Sequence, residues 1–292
     1  MKIIVHLFAA LALVAGFDAA AQGDAIPKQA QQLIDSLHFR GGRIDVDAAH
    51  AVLDLGAEFR FLDAHDAQRV LTELWGNPPA KDVLGMLVPV AAPLSDPEKS
   101  WAVVITYEDE GHVSDKDAAA IDYDALLKQM RQDTAAANPE RKRQGYAEVE
   151  LVGWAARPHY DATTNKLYWA KELSFDGGRE HALNYDIRVL GRGGYLSLNA
   201  VAGMNQLHQI ETEMQKVLAL TEFGAGQRYT DFNASTDKVA AYGLGALVAG
   251  AIAAKAGLFT KLLVLLLAFK KAILVGVVAA AAAVRKFFAR KA

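Results

Sequence analysis

Five charged positions have the type and setting to do acid–base chemistry. Glu108-Asp109-Glu110 closes an apolar, β-branched run, Trp101–Tyr107. Carboxylates at a strand end can be catalytic, because burial of one beside another raises a pKa. The plainer reading of three adjacent acids before Gly111 is a solvated turn. Lys171 and Glu172 interrupt an alternating strand beside Tyr168 and Trp169. A partly buried lysine or glutamate among rings could be poised for proton transfer. On an edge strand the same charges would only block sheet-to-sheet pairing. Glu108, Asp109 and Glu172 are therefore the candidate catalytic residues, each set against a bland alternative.

Other chemistries find less support. The chain has no cysteine, which excludes thiol nucleophiles, thiolate zinc sites and iron–sulfur clusters. There is no G-x-S-x-G elbow. Gly191-Arg192-Gly193-Gly194 sits between two alternating strands and lacks a following helix, so it reads as a hairpin turn and not a phosphate loop. His38, His50, His65, His112, His159, His181 and His208 are scattered, and no two share an i, i+4 helical face. His159-Tyr160-Asp161 has ligand-type side chains but follows Pro158 in a hairpin connection, where a polar turn is the simpler reading. No metal and no cofactor is expected. Rings gather in the C-terminal half, and Trp154, Tyr160, Tyr168 and Trp169, with Lys171, are the candidate binding residues. Exposed, they would form a surface for glycan or peptide recognition; buried, they are core.

The elements that must position these residues are legible as a series of short runs. Gln29–Leu37 reads as a helix ended by Gly41-Gly42. Ile44/Val46, Val52–Leu55 and Phe59/Phe61 alternate as short strands. Asp63 is an N-cap for a helix over Ala64–Leu74, with Gly76 just past its end. Val83–Val90 and Trp101–Tyr107 are apolar strands, and Tyr123–Ala137 is a helix. An antiparallel meander follows: Val149–Ala156, Leu167–Phe175, Leu183–Val189 and Tyr195–Val201, separated by turn clusters. Gln206–Leu220 is an amphipathic helix with Leu207, Ile210, Met214, Val217 and Leu218 on one stripe. The fold class is α+β, with a mixed or largely antiparallel sheet and a few packed helices.

The two ends differ from this domain. Residues 1–21 read as a signal peptide, with Lys2, an apolar core, and Ala19-Ala20-Ala21 before Gln22. From Lys238 to Ala292 there are nine Lys/Arg and no Asp or Glu, among Ala, Leu, Val, Gly and Phe. The chain carries −3 overall and Lys2 cancels Asp18, so residues 22–237 carry −12. Such a domain lacks the basic footprint nucleic acid requires. Val239–Thr260 is long enough to span a bilayer. Leu262–Val284 is a second span or an interfacial helix, because Lys270-Lys271 would sit at its middle. Ala246, Gly250 and Ala254 form a small-residue face suited to close helix packing, hence to a homo-oligomer. The domains expected are thus a signal peptide (1–21), an exported domain (22–237) and a membrane-anchoring tail (238–292).

Phe59-Arg60-Phe61-Leu62, Leu74-Trp75-Gly76-Asn77-Pro78, the run Tyr160–Ala170, the run Leu183–Arg192 and Asp237–Gly243 together resemble a bacterial family of membrane-anchored proteins known as domain of unknown function number 2167. The resemblance covers most of the chain after the signal. It implies an envelope protein of Gram-negative type held by its C-terminal region, and it carries over no catalytic or binding residue.

The functional expectation is a non-enzymatic binding or scaffolding module in the periplasm, tethered to inner-membrane lipid, with an envelope protein or glycan as partner. An envelope hydrolase or transferase using the carboxylates is the alternative. Assembly through the C-terminal helices is a third.

Overall fold

A computed structural model of the chain describes residues 27–249, other than Lys81 and Pro97. The chain divides into two units at Ala249, and the described residues all belong to the first. Helix α1 (Lys28–Asp35) leads into strand β1 (Arg43–Val46), which turns back as β2 (Ala51–Asp54). Strand β3 (Phe59–Asp63), helix α2 (Ala64–Arg69), β4 (Val83–Pro89), β5 (Ala102–Glu108) and the short β6 (His112–Ser114) follow. Helix α3 (Tyr123–Arg143) precedes the meander β7 (Val149–Asp161), β8 (Lys166–Phe175), β9 (His181–Leu190) and β10 (Tyr195–Gly203). Helix α4 (Leu207–Ala219), β11 (Thr221–Phe223), β12 (Val239–Gly243) and α5 (Leu244–Ala249) complete the described chain.

Seven strands form the main sheet in the order β3-β4-β5-β10-β9-β8-β7, all neighbours antiparallel. A second sheet runs β1-β2-β11, and β12 pairs in parallel with β6. The α+β class expected from the sequence is therefore the class observed. The β9–β10 hairpin pairs Leu190 with Tyr195, and residues 191–194 make the turn. Gly194 is required there, because a Cβ would collide with the Glu108 carbonyl of β5.

One face of the main sheet carries Ala170, Leu183, Ile187, Val189, Leu196, Leu198 and Ala200 in a single core with the small sheet and α4. Helix α4 supplies Ile210, Met214, Val217 and Leu218, the stripe its sequence spacing dictates. Each such side chain is worth about 1.5–3 kcal/mol when fully buried. Both edges of the large sheet are covered. Arg40 bridges β3 through two backbone hydrogen bonds with Phe61, of 2.9 and 2.8 Å. Along β7, α3 does the work: Arg131 donates to the Leu151 and Val152 carbonyls, and Asn138 both donates to and accepts from the Val149 backbone. That occupies the outer backbone groups of β7 from Val149 to Val152, which are then closed to another chain.

Three elements differ from the sequence reading. Strand β7 runs on through Pro158 to Asp161, where the sequence suggested a polar turn. The helix from Ala64 widens into a π turn over Val70–Leu74, where Trp75 N reaches back to the Val70 carbonyl at 3.0 Å. Helix α3 continues through Pro139 to Arg143. Arg141, buried, donates to the Ala147 carbonyl at 2.7 Å and so ties the helix end to the approach to β7.

The boundary of the domain needs correction. The sequence places its end at Asp237 and starts a membrane span at Val239. Instead Val239–Gly243 is a strand and continues the folded domain. In α5, Leu244, Leu247 and Val248 are buried against Val113, Leu167, Trp169, Leu190 and Tyr195. The apolar composition of 239–249 is core composition, and short apolar runs read alike in a core and in a bilayer. Among the described residues no helix is long and apolar enough to cross a membrane. The signal segment 1–21, the rest of the expected span and the segment 262–284 lie outside the described residues.

Candidate functional site

The three carboxylates singled out from the sequence are not brought together. Glu108 ends β5, in the row that crosses β10 at Tyr195. Glu172 lies on β8, in the row that crosses β9 at Leu183 and β10 at Ala202. The rows stand seven residues apart along β10, or about 23 Å at ~3.3 Å per residue. Asp109 is exposed past the end of β5. Glu172 faces His181, with Nδ1 2.5 Å from Oε1 and both side chains 29% exposed. A paired-carboxylate site requires a separation of roughly 5–10 Å, so Glu172 cannot pair with Glu108 in one.

The aromatic candidates divide between the faces of the sheet. Trp154, Tyr160 and Trp169 face α3, β12 and α5. Trp169 is 1% exposed and belongs to the core. Trp154 Nε1 donates to the Tyr123 carbonyl at 3.3 Å, at the start of α3. The Tyr160 hydroxyl donates to Asp115 at 3.0 Å, and burial is the main reason that its pKa is pushed up to about 12. Tyr168 points to the other face, half-buried. There it lines a shallow groove of about 350 Å³ with Arg157, His159, Asp161, Tyr185 and Gln215. Burial raises the pKa of Tyr168 and holds Tyr185 at about 12, so both phenols stay neutral hydrogen-bonding groups. The groove is built locally by β7. The 156–159 segment is bulged against β8, and this brings His159 opposite Tyr168.

Lys171 has a different partner from any the sequence suggested. Strand β8 lies inside the sheet, so its charge does not guard an edge. Lys171 Nζ sits 3.0 Å from Asp186 Oδ2 on β9, and Arg188 Nη1 lies 3.2 Å from Asp186 Oδ1. Asn199 on β10 donates to the same Oδ1 at 2.9 Å, and Asn184 donates to Asn199 at 3.2 Å. The Arg188 guanidinium stacks 4.8 Å over the Trp169 ring. Burial works against the Asp186 charge, but Lys171, Arg188 and Asn199 outweigh it and hold the pKa below the ordinary carboxylate value. Two cations thus meet one carboxylate in a buried polar row between apolar patches of the same face. Asn184 Oδ1, Arg188 Nε and Trp169 Nε1 have no hydrogen-bond partner among the described residues. Such a row is costly unless it fixes a single packing of the layer above it.

Residues 230–238, a polar stretch in the sequence, are docked. Arg192, in the β9–β10 turn, holds Asp237 in a two-pronged contact of 2.7 and 2.9 Å, which drops the Asp237 carboxyl far below its usual range. His112 is stacked between Tyr229 and Phe232, with ring centres 4.3 and 3.9 Å away. Its backbone N donates to Lys238 O at 2.8 Å. Gly111, at φ +99°, lets the two chains approach, since a Cβ would lie 2.8 Å from Lys238 O.

Comparison with known proteins places the chain in a family. The family model described as Protein of unknown function (DUF2167) matches residues 24–281. The chain belongs to this family. Among curated proteins nothing matches. Among solved structures, the cyanobacterial PsbP (CyanoP) of Synechocystis sp. PCC 6803 is similar at 11% identity and a TM-score of 0.35, over 65% of this chain and 93% of that one. The Ran-binding protein Mog1p of Saccharomyces cerevisiae is similar at 9% identity and a TM-score of 0.31, over 68% and 100%. Likenesses this distant carry nothing about what the chain binds.

In this DUF2167 member, sequence reasoning named Lys171 and Tyr168 and set His159 aside as part of a polar turn; it missed Asp186, Arg188 and Arg157. The signal for the first two was present: Asn184, Asp186 and Arg188 are polar at alternate positions of an otherwise apolar strand. Of the helix-packing residues, Ala246 is half-buried in α5, while Gly250 and Ala254 lie outside the described residues.

Proposed function

We propose that this protein is a non-enzymatic binding module that holds a glycan of the cell envelope in the β7–β9 groove. One observation carries the reading. Tyr168, fixed on paired strands, borders a concave surface ringed by Arg157, His159, Asp161 and Gln215. A ring that stacks on a sugar face, beside planar polar side chains that hydrogen-bond hydroxyls, is the chemistry of sugar recognition. His159 and Gln215 are the principal such groups here, because Arg157 is paired with Asp124 at 2.9 Å and Asp161 already accepts from Thr163 and Thr164. The groove volume is at the lower end of the ~300–1,000 Å³ typical of small-ligand sites, which suits one or two sugar units of a longer chain. Separation of the acids disfavours an enzyme acting through Glu108 and Glu172.

The location belongs to the same proposal. An apolar leader with a small-residue cleavage site, a domain at −12 and a basic apolar tail support export to the periplasm and attachment to the inner membrane of a Gram-negative cell. The test uses the purified full-length protein and soluble peptidoglycan fragments. Saturable binding that is lost in Tyr168→Ala, with the fragments recovered unchanged, is expected. Cleaved or transferred products would overturn the non-enzymatic reading.

A further inference from the structure

At the sheet edge opposite the groove, β3 runs into α2 through Asp63-Ala64-His65-Asp66. Asp66 is only 2% exposed, yet its carboxylate is met by two imidazoles. His65 Nδ1 lies 3.1 Å from Oδ1, and His38 Nδ1 lies 3.0 Å from Oδ2. His38 comes from the segment after α1 and also donates its backbone N–H to Oδ2 at 2.7 Å. Both histidine side chains are otherwise open to water, at 86% and 80% exposure. Asp63 accepts the Asp66 N–H through Oδ1 at 3.0 Å, which places its carboxylate beside the same group. One ligating atom from each of Asp63, His65 and Asp66 lies within 4.8 Å of the others.

We propose that Asp63, His65 and Asp66 bind a divalent cation of the zinc class, with His38 as the positioning residue. The spacing supports this. Two ligands on bonds of about 2.0–2.1 Å at a tetrahedral angle stand about 3.3–3.4 Å apart, and the His65–Asp66 contact is already close to that. One imidazole nitrogen and two carboxylates are a borderline donor set, which suits zinc and disfavours magnesium or calcium. Asp63 and His65 are exposed, so the ion has an entry path and water completes its shell. His38 acts through Asp66. It occupies Oδ2 with two donors and so turns Oδ1 toward His65, the role outer partners play at metal sites. The Arg69 guanidinium, 3.5 Å from Asp66 Oδ1, is the competing charge and must turn away to its other partners, Ser36 Oγ at 2.9 Å and Glu73 at 3.5 Å.

The test is cobalt(II) titration of the chelator-treated full-length protein, read by its visible ligand-field absorption, followed by displacement with zinc. Saturation at one cobalt per chain and displacement by zinc are expected. His65→Ala, at an exposed position, should weaken binding by more than the ~10–100-fold that loss of an outer partner costs, and His38→Ala by about that amount. His208→Ala, 100% exposed and remote in sequence, should change nothing. Circular dichroism verifies that the His65→Ala protein is folded. Absence of the one-to-one cobalt spectrum, or an unchanged spectrum and affinity in His65→Ala, would overturn the assignment. Neither result bears on the groove, which lies at the other edge of the sheet.

Discussion

Asp186→Ala is the most telling perturbation of the polar row. Its side chain is 3% exposed and lies 3.0 Å from Lys171 and 3.2 Å from Arg188. Removing it leaves the buried Arg188 and the partly exposed Lys171 with no carboxylate between them. Breaking a buried pair in this way costs about 3–5 kcal/mol. In a domain of this size each kcal/mol shifts Tm by about 2–4 °C, so a fall of about 6–20 °C is expected. Lys171→Met should behave differently, because it leaves one cation on one carboxylate; a fall of less than about 4 °C is expected. Combining the two changes should cost less than their sum. The pH dependence has a definite sign. The folded-state pKa of Asp186 is lowered, so its contribution is complete above the ordinary value of 3.8 and is lost as pH falls below it. Differential scanning calorimetry of the variants checks all of this. If Lys171→Met were as damaging as Asp186→Ala, the charge-imbalance reasoning would be refuted.

Gly194→Ala should destabilise by at least the ~1–3 kcal/mol of ordinary overpacking, read from urea unfolding, because its Cβ collides with the Glu108 carbonyl. Burial lowers the His112 pKa against the pull of Asp115 and Asp237. Its contribution is therefore full above 6.5 and is lost as pH falls toward the folded value, so the amide protection factors at His112 and Val113, taken relative to the intrinsic exchange rate at each pH, should fall as pH drops below 6.5, and less so in His112→Asn. Glu108→Gln and Glu172→Gln should bind peptidoglycan fragments as the unaltered protein does, measured by calorimetric titration.

Much of the framework was legible because it rests on local rules. Alternation marked β8 and β9, the turn residues at 176–178 and 191–194 marked the hairpins, and Asp63 caps α2 as its position suggests. What was not legible depends on distant contacts. β6, β11 and β12 are short, and each exists only because a remote segment pairs with it. Val239–Val248 reads as membrane in sequence because Leu244, Leu247 and Val248 need an apolar surrounding, and only the fold shows that Trp169 and Tyr195 provide it. For the sites the same division holds. Lys171 stood out as a charge in an apolar strand, but its partner lies on the next strand. Asp63 was read only as a helix cap, because its neighbours His65 and Asp66 mark a site only once His38 reaches them from 28 residues away.

The measurement that bears most directly on the account is a titration of the full-length protein with soluble peptidoglycan fragments, with bound and free fragments analysed by mass spectrometry. The expected result is saturable binding, abolished in Tyr168→Ala and unchanged in Glu172→Gln, with every fragment recovered at its original mass. Fragments of altered mass, or binding indifferent to Tyr168, would contradict it.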